Sequence, residues 1–216
     1  MKLYRDEGRS KSFFYYYGWT ILVFLSAFFL VFFFVFQAMF YVKRTERIEL
    51  FIAAHGVKDN DYGTKIEKQF KSRGLIEMNI YSYLEDDVAG VYNYFSANGE
   101  NADFIIFSET NVKDLEEYVP ANYFALSSFN EDIKKINEFD TYDYDGTAYG
   151  IKIFDGSDDT YNNKYKFKDF IEFTKEGVTR ESYYLLIDNG SPNFDKANKH
   201  ALGYYVLDYF LNDMSI

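Results

Sequence analysis

The chain of 216 residues contains no cysteine, which excludes a disulfide scaffold, a thiolate metal site and a lipid-modified cysteine. Basic residues are also in deficit, with 23 Lys+Arg against 34 Asp+Glu and a net charge of -11. The deficit is uneven. Residues 1–47 carry seven basic and three acidic side chains, so residues 48–216 hold 16 basic against 31 acidic, a net of -15. Such a domain repels phosphate backbones, and no nucleic-acid partner is expected. By the same reasoning it favours a neutral or cationic solute, unless a local pocket overrides the mean field.

Catalytic signatures are missing as well. There is no G-x-S-x-G elbow, P-loop, H-E-x-x-H or G-x-G-x-x-G, and the only histidines are His55 and His200. The chain reads as a non-enzyme with no cofactor. Two acidic stretches, Asp155-Gly-Ser-Asp-Asp159 and Asp143-Tyr-Asp-Gly146, begin like calcium loops. They lack the glycine at the sixth position or the glutamate at the twelfth, so solvated turns are expected and no metal site.

What the sequence has in excess is one long apolar run. Residues 20–42, TILVFLSAFFLVFFFVFQAMFYV, carry no charge, and Thr20, Ser26 and Gln37 are their polar members. As a helix these 23 residues span roughly 35 Å, enough for a hydrocarbon core of about 30 Å. Tyr15, Tyr16, Tyr17 and Trp19 at one end, and Tyr41 at the other, suit the headgroup layer. The competing reading is a cleavable signal peptide. The run exceeds the length of such regions, and no small-x-small site follows it. The expected organisation is a cytoplasmic tail at 1–12, a transmembrane anchor in the lipid bilayer at 13–43, and an extracellular domain at 48–216. Basic residues flank both ends of the run, so orientation rests on the short tail before a lone anchor. That places the N-terminus inside.

Beyond the anchor, strand and helix patterns alternate. Glu49-Leu-Phe-Ile-Ala-Ala54 reads as a buried strand ending at His55-Gly56. A helix starts at Asn60-Asp61, with Tyr62, Ile66 and Phe70 on one face and Gly74 as its stop. Residues 75–83 form a second strand. Asp86-Asp87 opens a second helix whose face carries Val88, Val91, Tyr92 and Phe95. Residues 102–107 are a third strand, 108–111 a loop, and 112–118 a short acidic helix. This alternation predicts right-handed crossovers and a mainly parallel sheet in a three-layer αβα domain. Further on, 130–139 reads as a polar helix. Asp145-Gly146 between alternating runs predicts a type I′ hairpin over 141–154. Residues 155–181 have no assignable pattern. A strand is expected at 183–188 and an amphipathic helix over 195–211, with Leu202, Tyr205, Val206, Tyr209 and Phe210 as its buried stripe.

In open parallel sheets ligands bind outside the carboxyl ends of the strands. That points to His55, Tyr83 and the Ser108-Glu109-Thr110 stretch. Set against it is a plainer account, in which these residues cap helices and satisfy turns. Tyrosines at strand ends could stack on a sugar ring.

The runs Ile48-Glu-Leu-Phe-Ile-Ala-Ala54, Phe70 to Tyr83, Ala102-Asp-Phe-Ile-Ile-Phe-Ser-Glu109 and Gly146-Thr-Ala-Tyr-Gly-Ile151 resemble the opening lobe of extracellular solute-binding proteins of ABC transporters, with the type 2 periplasmic-binding fold. The resemblance implies ligand contacts near Ala54 and His55, at Ser108 and Glu109, and near Tyr149. It also implies a permease partner and a small-molecule solute such as a sugar. Only about 65 residues separate the acidic helix from the last strand, so it implies a truncated or single-lobe form. Such a lobe could bind solute itself, or serve as a structural or regulatory subunit of a membrane complex.

Overall fold

The computed structural model describes residues 7–59, 61–84, 102–129, 133–164, 167–195 and 201–213. The helix expected from Asp86, the first residues of the helix expected from Asn130, and His200 lie outside the described residues. The chain divides into two units, Met1–Val42 and Lys43–Ile216.

The first unit is one helix, α1 (Glu7–Phe40). Its stretch Tyr17–Met39 has a mean hydropathy of 2.6 and is long and apolar enough to cross a membrane. Trp19, Phe24, Phe28 and Phe34 are exposed. A helix suits lipid because it satisfies its backbone hydrogen bonds internally. Phe28, Phe32 and Phe36 stack at four-residue spacing, with centroids 6.4 and 6.1 Å apart, as neighbours on one helix face do.

The second unit is an α/β domain around a six-stranded sheet of order β3-β1-β4-β8-β6-β5. The strands are β1 (Arg47–Ala54), β3 (Glu77–Leu84), β4 (Phe104–Ser108), β5 (Thr141–Tyr144), β6 (Thr147–Phe154) and β8 (Tyr183–Ile187). A separate ribbon joins β2 (Gly56–Val57) to β7 (Ile171–Glu172). β1 runs parallel to both β3 and β4, as the early alternation of strand and helix predicts. Beyond β4 the sheet is antiparallel, through β8, β6 and β5. Of these pairs, β5–β6 has a local cause, its hairpin turn. Asp145 and Gly146 both have positive φ, 48° and 74°, the geometry of a two-residue type I′ turn.

β1 is buried on both faces, so its side chains feed two apolar layers. Ile48, Leu50, Ile52 and Ala54 enter the larger layer with Ile66 and Phe70 of α2 (Tyr62–Phe70). Leu202, Val206 and Phe210 of the last helix (Leu202–Asp213) complete it. Phe51 and Ala53 face a smaller layer with Ile105, Phe107, Val112, Tyr142 and Tyr184. Gly74, with φ of 96°, ends the turn after α2 in the left-handed form expected of it. In the last helix Leu202, Val206 and Phe210 are buried, whereas Tyr205 and Tyr209 are half-buried. The Arg73 guanidinium lies 3.8 Å over the Tyr205 ring, a cation–π contact.

Three segments differ from expectation. The stretch 108–111 is not a loop: Ser108 is the N-cap of α3 (Glu109–Asp114), accepting a hydrogen bond from the Asn111 N–H at 3.4 Å. Residues 116–118 form a separate 3-10 turn before α4 (Val119–Asn122), which has Pro120 in its first turn. In 130–139 the described residues form a 3-10 helix, Lys134–Glu138, with Ile136 buried. In the unassigned stretch lie α5 (Asp159–Lys164), α6 (Phe167–Phe170) and β7.

At the amino-terminal edge of the sheet sits a polar knot. Asp103 is fully buried. Its carboxylate accepts from Arg44 Nη1 at 2.9 Å, the Glu49 N–H at 2.7 Å, Asn193 Nδ2 at 3.0 Å and the Ser191 hydroxyl. Asn193 Nδ2 also donates to the Arg47 carbonyl at 2.8 Å. The first residues of this unit are thereby fastened to its core.

Candidate functional site

Strand register defines the opposite, carboxyl-terminal edge. Ala54 pairs with Leu84, and Ile52 with Ile106, so β1, β3 and β4 end at one level. Ser108 pairs with Tyr183, and Tyr183 with Phe154, which extends the edge to β8 and β6. At this edge the structure gathers Ala54, His55, Tyr83, Ser108 and Glu109. Their side chains do not share one surface. The Ala54 methyl is fully buried in the larger core layer, while the Tyr83 ring packs on the smaller one, 5.2 Å from Phe51. His55 is half-buried, and its backbone N–H donates to the Glu172 carbonyl at 3.1 Å. Ser108 is fully buried. The Glu109 N–H donates to the Ser182 carbonyl at 2.8 Å, and its carboxylate meets Lys113 Nζ at 2.6 Å.

Tyr149 lies elsewhere. Tyr142 pairs with Gly150 and Asp143 with Ala148, so Tyr149 is the extra residue of a β-bulge. It is five positions before Phe154, roughly 16 Å along the strand from the edge. Near it, Leu126, Ile136, Phe139, Thr141, Gly146 and Thr147 border a cavity of about 380 Å³.

The carboxyl edge has a cavity of its own, about 340 Å³, built by the segment between β6 and β8. That segment begins with a self-sufficient acidic turn. Asp155 Oδ1 accepts from the Ser157 N–H and hydroxyl, both at 2.8 Å, and from the Asp158 N–H at 3.1 Å. Its Oδ2 meets Lys152 Nζ at 3.0 Å. The Asn162 amide brackets the Asp155 backbone with two bonds of 2.7 Å. Gly156 is required here, since a Cβ would lie 2.8 Å from the Glu181 backbone carbon. Asp155, the first carboxylate of the stretch that begins like a calcium loop, is thus spent on backbone N–H groups, a hydroxyl and a lysine.

Burial acts to raise the Asp155 pKa, but the Ser157 and Lys152 bonds outweigh it and hold the carboxyl down at about 2. A depressed folded-state pKa adds stability above the unfolded value, and that stability disappears as pH falls through the folded one. The turn's contribution should therefore be complete at neutral pH and fade from about pH 4 downward. Urea titrations of the wild type and Asp155→Asn along this pH series should give stability differences that shrink with acidification. A constant difference would exclude this role.

Phe154, Ile171 and Phe173 give the cavity an apolar floor, the two phenylalanines stacked at 4.8 Å. Its rim carries Lys58, Lys168, Arg180 and Asp159. Arg180 Nη2 meets Asp159 Oδ1 at 2.6 Å, and the guanidinium stands 5.7 Å from the Phe154 ring. None of the six residues expected from sequence lines this cavity. Its cationic residues are far apart in the chain, and the β2–β7 ladder, pairing Val57 with Ile171, brings them together. Nothing local in the sequence marks that pairing.

No protein-family model matches the chain, and no curated protein matches it. Among solved structures it is similar to the N-glycan transport solute binding protein NgtS from Streptococcus pneumoniae, with TM-score 0.38 and 12% identity over 51% of this chain and 25% of that one. The complex of NgtS with Man1GlcNAc gives 0.36 and 12%, over 50% and 25%. The maltose/maltodextrin-binding domain MalE from Bdellovibrio bacteriovorus, bound to maltotriose, gives 0.33 and 17%, over 50% and 28%. The chain spans about a quarter of the length of the NgtS structures it matches.

Proposed function

We propose that this chain is a solute-binding component of an ABC transport system, held in the cell membrane by α1. Its N-terminus is inside and its α/β domain outside, next to a permease. The domain binds a small solute such as a sugar without covalent chemistry. One observation carries the reading: β3, β1 and β4 end together at an edge that also borders a polar-rimmed cavity of about 340 Å³. Open α/β sheets bind their ligands at that edge, and the volume falls in the range of small-molecule sites.

The test is a thermal-unfolding screen of the full chain in lipid nanodiscs against sugars, amino acids and cations. A true ligand at a hundredfold excess over its Kd adds about 2.7 kcal/mol to the folded state. For a domain of this size that raises Tm by roughly 5–10 °C. No shift with any class would rule out solute binding.

A second reading is that of a degenerate lobe acting as a structural or regulatory subunit of a membrane complex. It is favoured by the self-satisfaction of the edge, where the N–H groups of His55 and Glu109 already bond to the chain's own carbonyls. Residues 155–182 are also too few to form a second lobe. Detergent extraction that recovers a stable protein partner, with no ligand-dependent shift in Tm, would favour it.

A further inference from the structure

We infer that the cavity at the carboxyl edge selects an anionic solute, a monosaccharide-sized acid bearing a carboxylate or phosphate, against the sign of the domain around it. The inference deepens the proposed binding function and rests on it.

Acidic residues outnumber basic ones nearly two to one in residues 48–216. Several lysines elsewhere in the domain meet carboxylates. Lys65 meets Asp59, Lys113 meets Glu109, and Lys152 meets Asp155. The two lysines on this cavity do not. Among the described residues, neither Lys58 nor Lys168 has a carboxylate within ion-pair distance. Lys58 Nζ donates instead to the Lys168 backbone carbonyl at 2.8 Å, and Lys168 Nζ to the Asn163 side-chain oxygen. Neutral acceptors fix the ammonium positions without cancelling their charge. Each ammonium has three donors, so some remain for a ligand.

Arg180 adds a third cation. Its guanidinium is steadied by Asp159, the one carboxylate on this lining. With three cationic side chains to one acidic, the cavity reverses the local field. Below the rim lie Phe154, Ile171 and Phe173, all buried in the core, so the solute meets mainly the polar side chains of the rim. At about 340 Å³ the space is near the lower end for small-molecule sites, which suits one ring and an acidic group.

Full-length protein in nanodiscs should be titrated calorimetrically with glucose, glucuronate and glucose 6-phosphate, at low and high salt. Glucuronate or glucose 6-phosphate is expected to bind at least about tenfold more tightly than glucose, with affinity falling as salt rises. Which of the two binds tells carboxylate from phosphate. In the Lys58→Gln/Lys168→Gln variant the preferred acid should lose roughly tenfold in affinity. Lys58 is exposed and Lys168 half-buried, so the variant should keep its fold, checked by its Tm without ligand. Glucose binding as tightly as the acids overturns the inference and leaves solute binding intact. Acid binding untouched by the double variant also overturns it. If neither these probes nor any neutral or cationic solute in the screen binds, the solute-binding reading falls too.

Discussion

Replacing Asp103 by alanine should lower the unfolding free energy by about 3–5 kcal/mol, because it strands two buried donors at once. The carboxylate is fully buried and accepts from the Glu49 N–H, Asn193 Nδ2, the Ser191 hydroxyl and the Arg44 guanidinium. Once it is gone the Glu49 N–H and the Ser191 hydroxyl lose their acceptor in the buried core, while Asn193 Nδ2 and Arg44 Nη1 keep the Arg47 carbonyl. The loss is a large share of the roughly 5–15 kcal/mol that a domain possesses. Urea unfolding of the full chain, followed by tyrosine fluorescence, measures it. Asp103→Asn keeps the shape and two of the acceptor lone pairs, so it should cost less than alanine. A loss below about 1 kcal/mol for Asp103→Ala would mean that the knot contributes no more than an average hydrogen bond.

Gly203→Ala carries the second large effect, and its sign runs against local propensity. In a solvated helix interior, glycine to alanine stabilises by about 1 kcal/mol. Gly203 is the second residue of the last helix, and a Cβ there would lie 2.5 Å from the Asn193 carbonyl oxygen and 2.8 Å from two carbons of the Phe194 ring. Phe194 is fully buried against Phe104, Phe129 and Tyr204, so the ring has nowhere to move. The substitution should destabilise by about 2–3 kcal/mol, in line with overpacked cores. A neutral or stabilising result would show that the helix relaxes away from the 3-10 turn Pro192–Phe194. Asn193 belongs both to this contact and to the Asp103 knot. The double variant should therefore depart from additivity, the signature of a shared partner.

The two substitutions lie at the edge opposite the proposed binding site. The Asp103 knot lies where β1 and β4 begin, and the cavity lies where β6 ends. A variant at Asp103 or Gly203 should change Tm without changing which solute is bound.

The sequence by itself determined the elements whose signal is local. An uncharged run of 23 residues dictates a helix long and apolar enough to cross a membrane. Apolar runs dictate β1 and β4, alternation of Ile76, Met78 and Ile80 with polar residues dictates β3, and an intervening period of about 3.6 dictates α2. Asp145-Gly146 fixes the hairpin, because positive φ at both residues turns antiparallel strands with the correct twist. His55, Tyr83, Ser108 and Glu109 could be placed near one edge because parallel strands share a direction.

Tertiary structure alone decided the rest. The antiparallel half of the sheet depends on β8 inserting between β4 and β6, pairings that join residues some 80 and 30 positions apart. Ala54 and Tyr83 turned to opposite faces because the side-chain period of a strand is two, which placement at a strand end does not reveal. Tyr149 lies away from the edge because it sits near the hairpin end of β6, whose other end reaches the edge only through its pairing with β8. The cationic cavity is the clearest case. Composition describes an acidic domain, yet Lys58, Lys168 and Arg180 meet around one space because a two-residue ladder and a short helix fold back over the edge. Mean charge is a sum over sequence, whereas a ligand feels distances, and distances are set by long-range pairing.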